Sequence, residues 1–212
     1  MKHKKRIVLG VVIILFIISF IMVWFVLSKK ETVTYQDIKK LYASIASDSC
    51  TSFPVVHNQT IDQMSDETIL FLIFNQMKQD RVLTNQMTRE DYLKSAKKIV
   101  SENNIPKTFS SFSFDGYEYQ LNEDTITRKK VSCSLRQYVS KLYGYSSNDN
   151  QVEIDVRVGY IESDHLYTLD GKLIGKVEDH TLNTLLDEAT LQTYTYVMEQ
   201  NQYSLYRLET KE

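Results

Sequence analysis

The 212-residue chain has few of the residues that punctuate or cross-link a fold, with 6 glycines, 2 prolines and 2 cysteines. The low glycine and proline content, without any low-complexity segment, argues against a flexible linker or a second domain. No internal repeat is evident, so a solenoid or a propeller is not predicted. Two cysteines are too few for a disulfide framework, and we therefore expect one domain that depends on an apolar core.

The residue spacings that common enzyme and cofactor sites require are also missing. The sequence contains no His-Glu-x-x-His, Gly-x-Ser-x-Gly, Cys-x-x-Cys or glycine-rich phosphate loop. His57, His165 and His180 lie far apart among polar residues, a pattern typical of exposed loop histidines rather than metal ligands. Asp164-His165 and Asp179-His180 are adjacent pairs, whose side chains would point to opposite faces of a strand. No catalytic residue, metal or cofactor is therefore predicted.

A concentrated positive charge is absent from the part of the chain that follows residue 27. All 27 acidic residues but only 21 of the 25 Lys and Arg lie there, which gives a formal charge of about −6 at pH 7. Arg128-Lys129-Lys130 is a basic cluster, but it falls in a predicted strand, where a solvated face explains it. Nucleic acid and anionic lipid both require a concentrated basic surface, so neither is predicted as the main ligand.

One long apolar run is present near the N-terminus. Ile7–Leu27 has 21 residues without an ionisable group and follows the basic segment Met1–Arg6. A helix of about 20 residues spans a bilayer, so the run predicts a transmembrane helix. The rival is a cleaved signal peptide, but the run is long for a signal core and lacks a small-x-small ending. Trp24 and Phe25 suit a membrane interface, which favours an uncleaved anchor.

The flanking charges predict the orientation of this anchor. The positive-inside rule places the tail 1–6 in the cytoplasm and, after the short stalk 28–33, the domain 34–212 outside the cell membrane. The Lys- and Ile-rich composition is typical of bacterial proteins. Cys50 and Cys133 then lie in a compartment where a disulfide forms, although two buried free thiols or a catalytic cysteine remain open. A nucleophile is the weakest of these readings, because no histidine lies in a recognisable cysteine-protease context.

Helical periodicity is confined to the first half of the domain. Three helices are predicted to begin after Thr34, Ser65 and Thr88, and the third is predicted to end at Asn103-Asn104. The second helix is apolar on most sides, which predicts that it is central and buried.

After Pro106 the apolar residues recur with a period of two, which predicts an antiparallel sheet. The Gly144–Asn150 segment is predicted to be a turn, and Asp170-Gly171 is predicted to form a type I′ hairpin. The predicted strands are 117–121, 125–133, 137–143, 152–160, 166–169, 172–177, 189–199 and 202–210, and 180–187 is predicted to be a short helix or a loop.

The order of elements predicts an α+β fold in which about three helices pack on a curved antiparallel β-sheet. From Thr34 to Glu212 this order resembles the cone-shaped fold of nuclear transport factor 2 and the cystatin-type helix on a sheet. The topology also resembles uncharacterised small membrane-anchored extracytoplasmic proteins of bacteria, and the anchored cone-shaped component of conjugative secretion machines. These resemblances rest on element order, which does not carry function.

Tyrosine is the most unusual component of the second half. Of the 14 tyrosines, 11 lie after Asp115. Half-buried packing in strands explains most of them, while the functional interpretation is that some line a groove for a peptide, a glycan or a protein partner. Alternation places Tyr194 and Tyr196 on one face of a strand, and with Tyr160 they are the candidate ligand-binding residues.

Two functional hypotheses follow. The first is a membrane-tethered extracytoplasmic binding module that engages a protein partner or an oligomer in the envelope. The alternative is an envelope enzyme with an acid/base site in a pocket between the helices and the sheet. The residues that line the space between the helices and the sheet discriminate between the binding module and the enzyme.

Overall fold

The structure is a computed structural model and describes residues 33–46, 50–85, 87–133, 135–148, 150–199 and 202–211. The predicted tail, the predicted transmembrane helix and all of the predicted stalk except Val33 lie outside these ranges. None of the helices in the described part of the chain is long and apolar enough to cross a membrane.

The described residues form four α-helices and eleven strands. The helices are α1 (Tyr35–Ile45), α2 (Asp66–Gln79), α3 (Arg89–Ala96) and α4 (Leu182–Leu185), with short 3-10 helices at Ile61–Gln63, Glu102–Asn104 and Leu186–Glu188. The strands are β1 (Gln59–Thr60), β2 (Met87–Thr88), β3 (Phe109–Phe114), β4 (Tyr117–Asn122), β5 (Thr125–Lys130), β6 (Gln137–Asn148), β7 (Gln151–Glu162), β8 (His165–Tyr167), β9 (Leu173–Lys176), β10 (Thr190–Glu199) and β11 (Gln202–Lys211).

The predicted α+β class is confirmed, but the strands form two antiparallel sheets instead of one. The large sheet has the order β1-β11-β10-β7-β8-β9, with β6 paired to β7, and the small sheet has the order β2-β5-β4-β3. The division falls at residues 131–136, where the chain leaves β5 before β6 begins. Cys133 lies in this connection and is joined to Cys50. The sequence pattern did not reveal the division, because strands of both sheets show the same period of two.

All three predicted helix starts are confirmed, and hydroxyl side chains cap them. Thr34 accepts a hydrogen bond from the Asp37 backbone N–H at 3.3 Å, and Ser65 caps α2 in the same way. Thr88 accepts from the Asp91 backbone N–H at 3.1 Å. Each cap satisfies a donor that has no partner within the helix.

The predicted end of the third helix is wrong. The helix ends at Ala96, and Asn103 and Asn104 belong to a separate 3-10 helix. The carbonyl of Ile99 accepts a hydrogen bond from the Leu205 N–H of β11 at 2.7 Å. A continuing helix would need that carbonyl for its own ladder, so the contact with β11 is incompatible with the longer helix.

A carboxylate network joins the end of α2 to α3. Asp80 accepts hydrogen bonds from Ser95 and Lys98 at 2.7 and 2.6 Å, and from Gln76 at 3.0 Å. Partial burial raises the pKa of Asp80, but these three donors outweigh it and hold the pKa below its ordinary value. Asp80 therefore stays ionised and links the two helices.

The two turn predictions in the sheet need correction. Strand β6 continues through the predicted turn at Gly144–Asn150, and Asn148 pairs directly with Gln151 of β7. At Asp170-Gly171 only the glycine has a positive φ, +92°, whereas a type I′ turn needs two such residues. The Thr168 N–H donates to the Lys172 carbonyl at 3.0 Å, which closes a three-residue loop.

The faces of the large sheet follow the predicted alternation. On β7 the side chains of Val152, Ile154, Val156 and Val158 are 0% exposed and face the helices. The residues between them are half-buried on the outer face. Leu186 covers part of that outer face in a second, smaller apolar cluster.

Helix α2 is central, as predicted, and packs against α1, α3 and β3. Its buried stretch is continuous over Thr68–Asn75. The ring of Phe74 is 0% exposed and lies 4.6 Å from the ring of Tyr119 and 4.9 Å from that of Phe112, measured between centroids. Further rings at Phe109 and Phe114 complete the cluster.

We predict that Phe74→Ala lowers the free energy of unfolding by about 3 to 5 kcal/mol, because it leaves a cavity among these rings. Urea unfolding followed by far-UV circular dichroism measures the change. Leu135→Ala is the control, since Leu135 is 92% exposed and its truncation should leave stability unchanged. Equal effects of the two substitutions would contradict the central position of Phe74.

Candidate functional site

Two of the three tyrosines that the sequence singles out lie in the core. Tyr194 and Tyr196 on β10 are 0% and 1% exposed on the inner face of the large sheet. The Tyr194 hydroxyl donates to Gln192 Oε1 at 2.8 Å, and burial raises the pKa of both phenols. This burial argues against ligand binding at these residues and favours the packing role that the alternation also allowed.

Tyr160 is 5% exposed and belongs to a stack of side chains at the end of β7. Its ring is stacked on that of Tyr167, with centroids 5.2 Å apart, and lies 5.8 Å from the ring of Tyr138. The guanidinium carbon of Arg136 lies 4.4 Å from the Tyr160 centroid. Such a cation over an aromatic face is stabilising, and it occupies the face that a ligand would need.

The interface between the helices and the large sheet is filled with apolar side chains. Ile38 and Ile45 of α1 are 0% exposed, as are Val152, Ile154 and Val156 on the facing strand. Ser44 of α1 is also buried, and its Oγ donates to the Leu41 carbonyl at 2.6 Å. The place where the enzyme hypothesis requires converging acids is therefore occupied by core packing.

Glu153 and Asp155 of β7 lie on the outer face of the large sheet, where neighbouring side chains contact them. Thr193 Oγ1 donates to Asp155 Oδ1 at 2.6 Å, and Arg207 lies 3.5 Å from Glu153. Thr193 is opposite Asp155 on adjacent strands, whereas Glu153 and Arg207 lie on either side of Thr195 of β10. These contacts give both carboxylates a structural role.

The three histidines do not converge. His165 Nδ1 is 2.8 Å from the Ser163 carbonyl, His180 lies in the turn before α4, and His57 lies near the start of β1. Within the described residues, no group of three or more His, Cys, Asp or Glu side chains is placed to hold a metal ion.

The sulfur atoms of Cys50 and Cys133 are bonded to one another, and they border a surface cleft of about 490 Å³. The bond joins the chain that enters from α1 to the connection between the two sheets. Phe71 and Phe114 form an apolar floor in this cleft, but both rings are at most 3% exposed. The floor therefore belongs to the core, and the disulfide acts here as a cross-link.

Sequence reasoning predicted the first part of strand β6, at 137–143, but missed its continuation to Asn148. The complete strand is 12 residues long, pairs with β7 on one side, and forms no backbone hydrogen bond on its other edge with any described residue. The half from Tyr143 to Asn148, called the open edge below, carries no charged side chain. Tyr143 and Tyr145 are 53% and 50% exposed there.

On the opposite side of the large sheet, the outer edge of β11 is shielded by other residues. The outer edge of β11 is covered by β1, by the Ile99 carbonyl and by the Val56 carbonyl, which accepts from the Thr210 N–H at 2.7 Å. Two segments, residues 56–60 and Ile99, thus shield β11, while β6 stays open. The alternation of tyrosine with small polar residues over 143–147 is the local signal that would have extended the predicted strand.

Comparison with models of protein families, with curated proteins and with solved structures found no match to this chain.

We predict that the Cys50→Ser/Cys133→Ser double variant loses about 4 to 5 kcal/mol of stability, because the cross-link restricts the unfolded chain. The two cysteines are 83 residues apart in sequence, so the closed loop is long. Urea unfolding with and without dithiothreitol measures the loss in the parent protein. The double variant is the control, since its unfolding midpoint should not respond to the reductant. An unchanged midpoint of the parent on reduction would contradict the prediction.

Proposed function

We propose that residues 34–212 form a membrane-tethered extracytoplasmic binding module, which a helix at residues 7–27 holds at the outer surface of the cell membrane. The observation that carries the binding function is the open edge of β6. An unpaired strand edge presents a row of backbone donors and acceptors that another chain can complete.

The open edge suits an extended segment of a partner protein. Its exposed tyrosines offer a large contact area on both faces of the added strand, since Tyr145 is opposite Ile154 on the inner face whereas Tyr143 contacts Arg157 from the outer face. The backbone supplies affinity in this mode of binding, and the side chains on either face supply selectivity. The partner segment should therefore have apolar residues at alternate positions.

Positive charges beside both tyrosines favour an acidic partner segment. Arg157 Cζ lies 4.7 Å from the centroid of the Tyr143 ring. On the inner face the rings of Tyr35 and Tyr145 are 6.4 Å apart, and Lys39 Nζ lies 4.9 Å from the Tyr35 centroid. Within the described residues, neither Lys39 nor Arg157 is within 4.0 Å of a carboxylate oxygen. Acidic side chains flanking the apolar positions would complement both cations.

The finer description of the fold is part of the same proposal. Helices on one face of a large antiparallel sheet, and register shifts in the pairing of β6 and β10, support a cone-shaped or cystatin-like arrangement. A subunit of an envelope assembly is the cellular role that fits such a module. No observation favours the alternative enzyme, because the helix–sheet interface is filled with core side chains.

We predict that peptides of about 10 to 12 residues, selected by phage display against the purified protein, bind the open edge with apolar residues at alternate positions. Tyr143→Ala and Tyr145→Ala should each weaken binding about tenfold in fluorescence polarisation, as central aromatic contacts do. Tyr206→Ala is the matched control, because Tyr206 is 47% exposed but lies on β11.

Hydrogen exchange of the complex decides the place of binding. Protection is expected over residues 143–148. Protection confined to other segments, or a symmetric dimer of the protein that covers β6 and excludes every peptide, would overturn the proposal.

We predict that alkaline phosphatase fused after Glu212 is active in a bacterial host, because that enzyme requires an oxidising compartment. Green fluorescent protein at the same position should not fluoresce. Membrane fractions should hold a chain of the full 24.8 kDa mass, since no cleavage is expected. An inactive phosphatase fusion, or a shortened soluble chain, would contradict the anchored topology.

A further inference from the structure

A second cleft, called the basic cleft below, lies at the end of the large sheet where β10 begins and β11 ends. It has a volume of about 480 Å³, and its lining residue Arg157 also packs over Tyr143 of the open edge. Its walls combine apolar side chains with the basic residues His57, Arg157, Lys172 and Lys211. This concentration is unusual in a domain whose net charge is negative.

The cations of the basic cleft have no carboxylate partners among the described residues. Arg157, Lys172 and Lys211 form none of the ion pairs found within 4.0 Å, and neither do the acidic residues Asp170 and Glu188 of the same cleft. Lysines elsewhere are of both kinds, since Lys141 and Lys176 form such pairs whereas Lys39, Lys94 and Lys129 form none with described residues. What distinguishes the cleft is that three such cations line one cavity.

Two contacts fix the position of the Arg157 side chain and use only one of its N–H donors. Its Nη1 donates to the Ala189 carbonyl at 2.7 Å, and its guanidinium packs over the Tyr143 ring. Its Nε is buried and has no hydrogen-bond partner among the described residues. A buried donor without a partner is costly. Because the side chain is already fixed, little conformational entropy is lost when an anion binds.

We propose that the basic cleft binds a single phosphate group. Arg157 offers a planar fork of donors, and Lys172 and Lys211 supply the further charge that a phosphate needs. Asp170 and Glu188 reduce the fixed charge of the cleft, so an extended polyanion is disfavoured while one compact anion is accepted. The phosphate belongs either to a lipid headgroup or to a soluble phosphate ester, and the two share this chemistry.

The test titrates the full chain in neutral detergent with sn-glycerol 3-phosphate, and separately with dihexanoylphosphatidylglycerol, by isothermal calorimetry. Saturable binding is expected in at least one titration, and glycerol and monohexanoylglycerol should give none. Arg157→Gln should weaken binding about tenfold, as the loss of a charged fork does. Lys172→Gln/Lys211→Gln should weaken it by a similar factor without touching the Ala189 contact.

The matched control is Lys94→Gln/Lys129→Gln, which removes the same charge from exposed positions outside the cleft. Retained affinity in that variant, with loss in the cleft variant, supports the proposal. Binding of the soluble ester alone identifies a soluble ligand, and binding of the lipid alone identifies a headgroup. The absence of saturable binding, an equal loss in the control variant, or equal binding of monohexanoylglycerol overturns the proposal. Arg157 also contacts Tyr143 at the open edge, so the Lys172→Gln/Lys211→Gln variant is the one that tests the cleft independently of β6.

Discussion

The burial of α2 is the constraint on which the rest of the fold depends. A helix that is apolar on most sides is stable only when other elements surround it, and α2 is buried continuously over Thr68–Asn75. Helices α1 and α3 flank it, and β3 presents a row of rings to Phe74. Because α1 in turn covers the inner face of the large sheet, both sheets share one apolar core. The core fills the space between the helices and the large sheet.

Local chemistry explains what the sequence predicts well. Hydroxyl caps at Thr34, Ser65 and Thr88 fix helix starts through contacts only three residues away, so the sequence shows both partners. The end of α3 depends instead on the bond between the Leu205 N–H and the Ile99 carbonyl, which are far apart in sequence. No residue near Ile99 in the sequence indicates that its carbonyl accepts a hydrogen bond from a strand of the large sheet. Helix starts are therefore local properties here, whereas this helix end is a tertiary one.

In the candidate site, too, some features follow from the local sequence and others only from the tertiary structure. Alternation correctly places Tyr194 and Tyr196 on one face, but it does not show whether helices cover that face. Tyrosine suits both a core and an interface, so composition does not decide between them. The strand order decides whether a tyrosine is buried or exposed, since β10 lies inside the sheet while β6 lies at its edge. Gly144 and the Ser-Ser-Asn that follows Tyr145 have turn chemistry, and only the pairing with β7 keeps them extended.

The contrast between the two long outer strands argues that the open edge of β6 is functional. Folded proteins shield exposed edges, because an unpaired edge invites association with any extended chain. This chain uses β1 and the carbonyls of Val56 and Ile99 to shield β11. On β6 a register shift and the Lys141–Asp187 ion pair protect the first half of the strand, and neither reaches Tyr145 to Asn148. In the proposed binding mode, a partner strand would pair with the uncharged half of β6, because the ion pair and the register shift lie in or next to the other half.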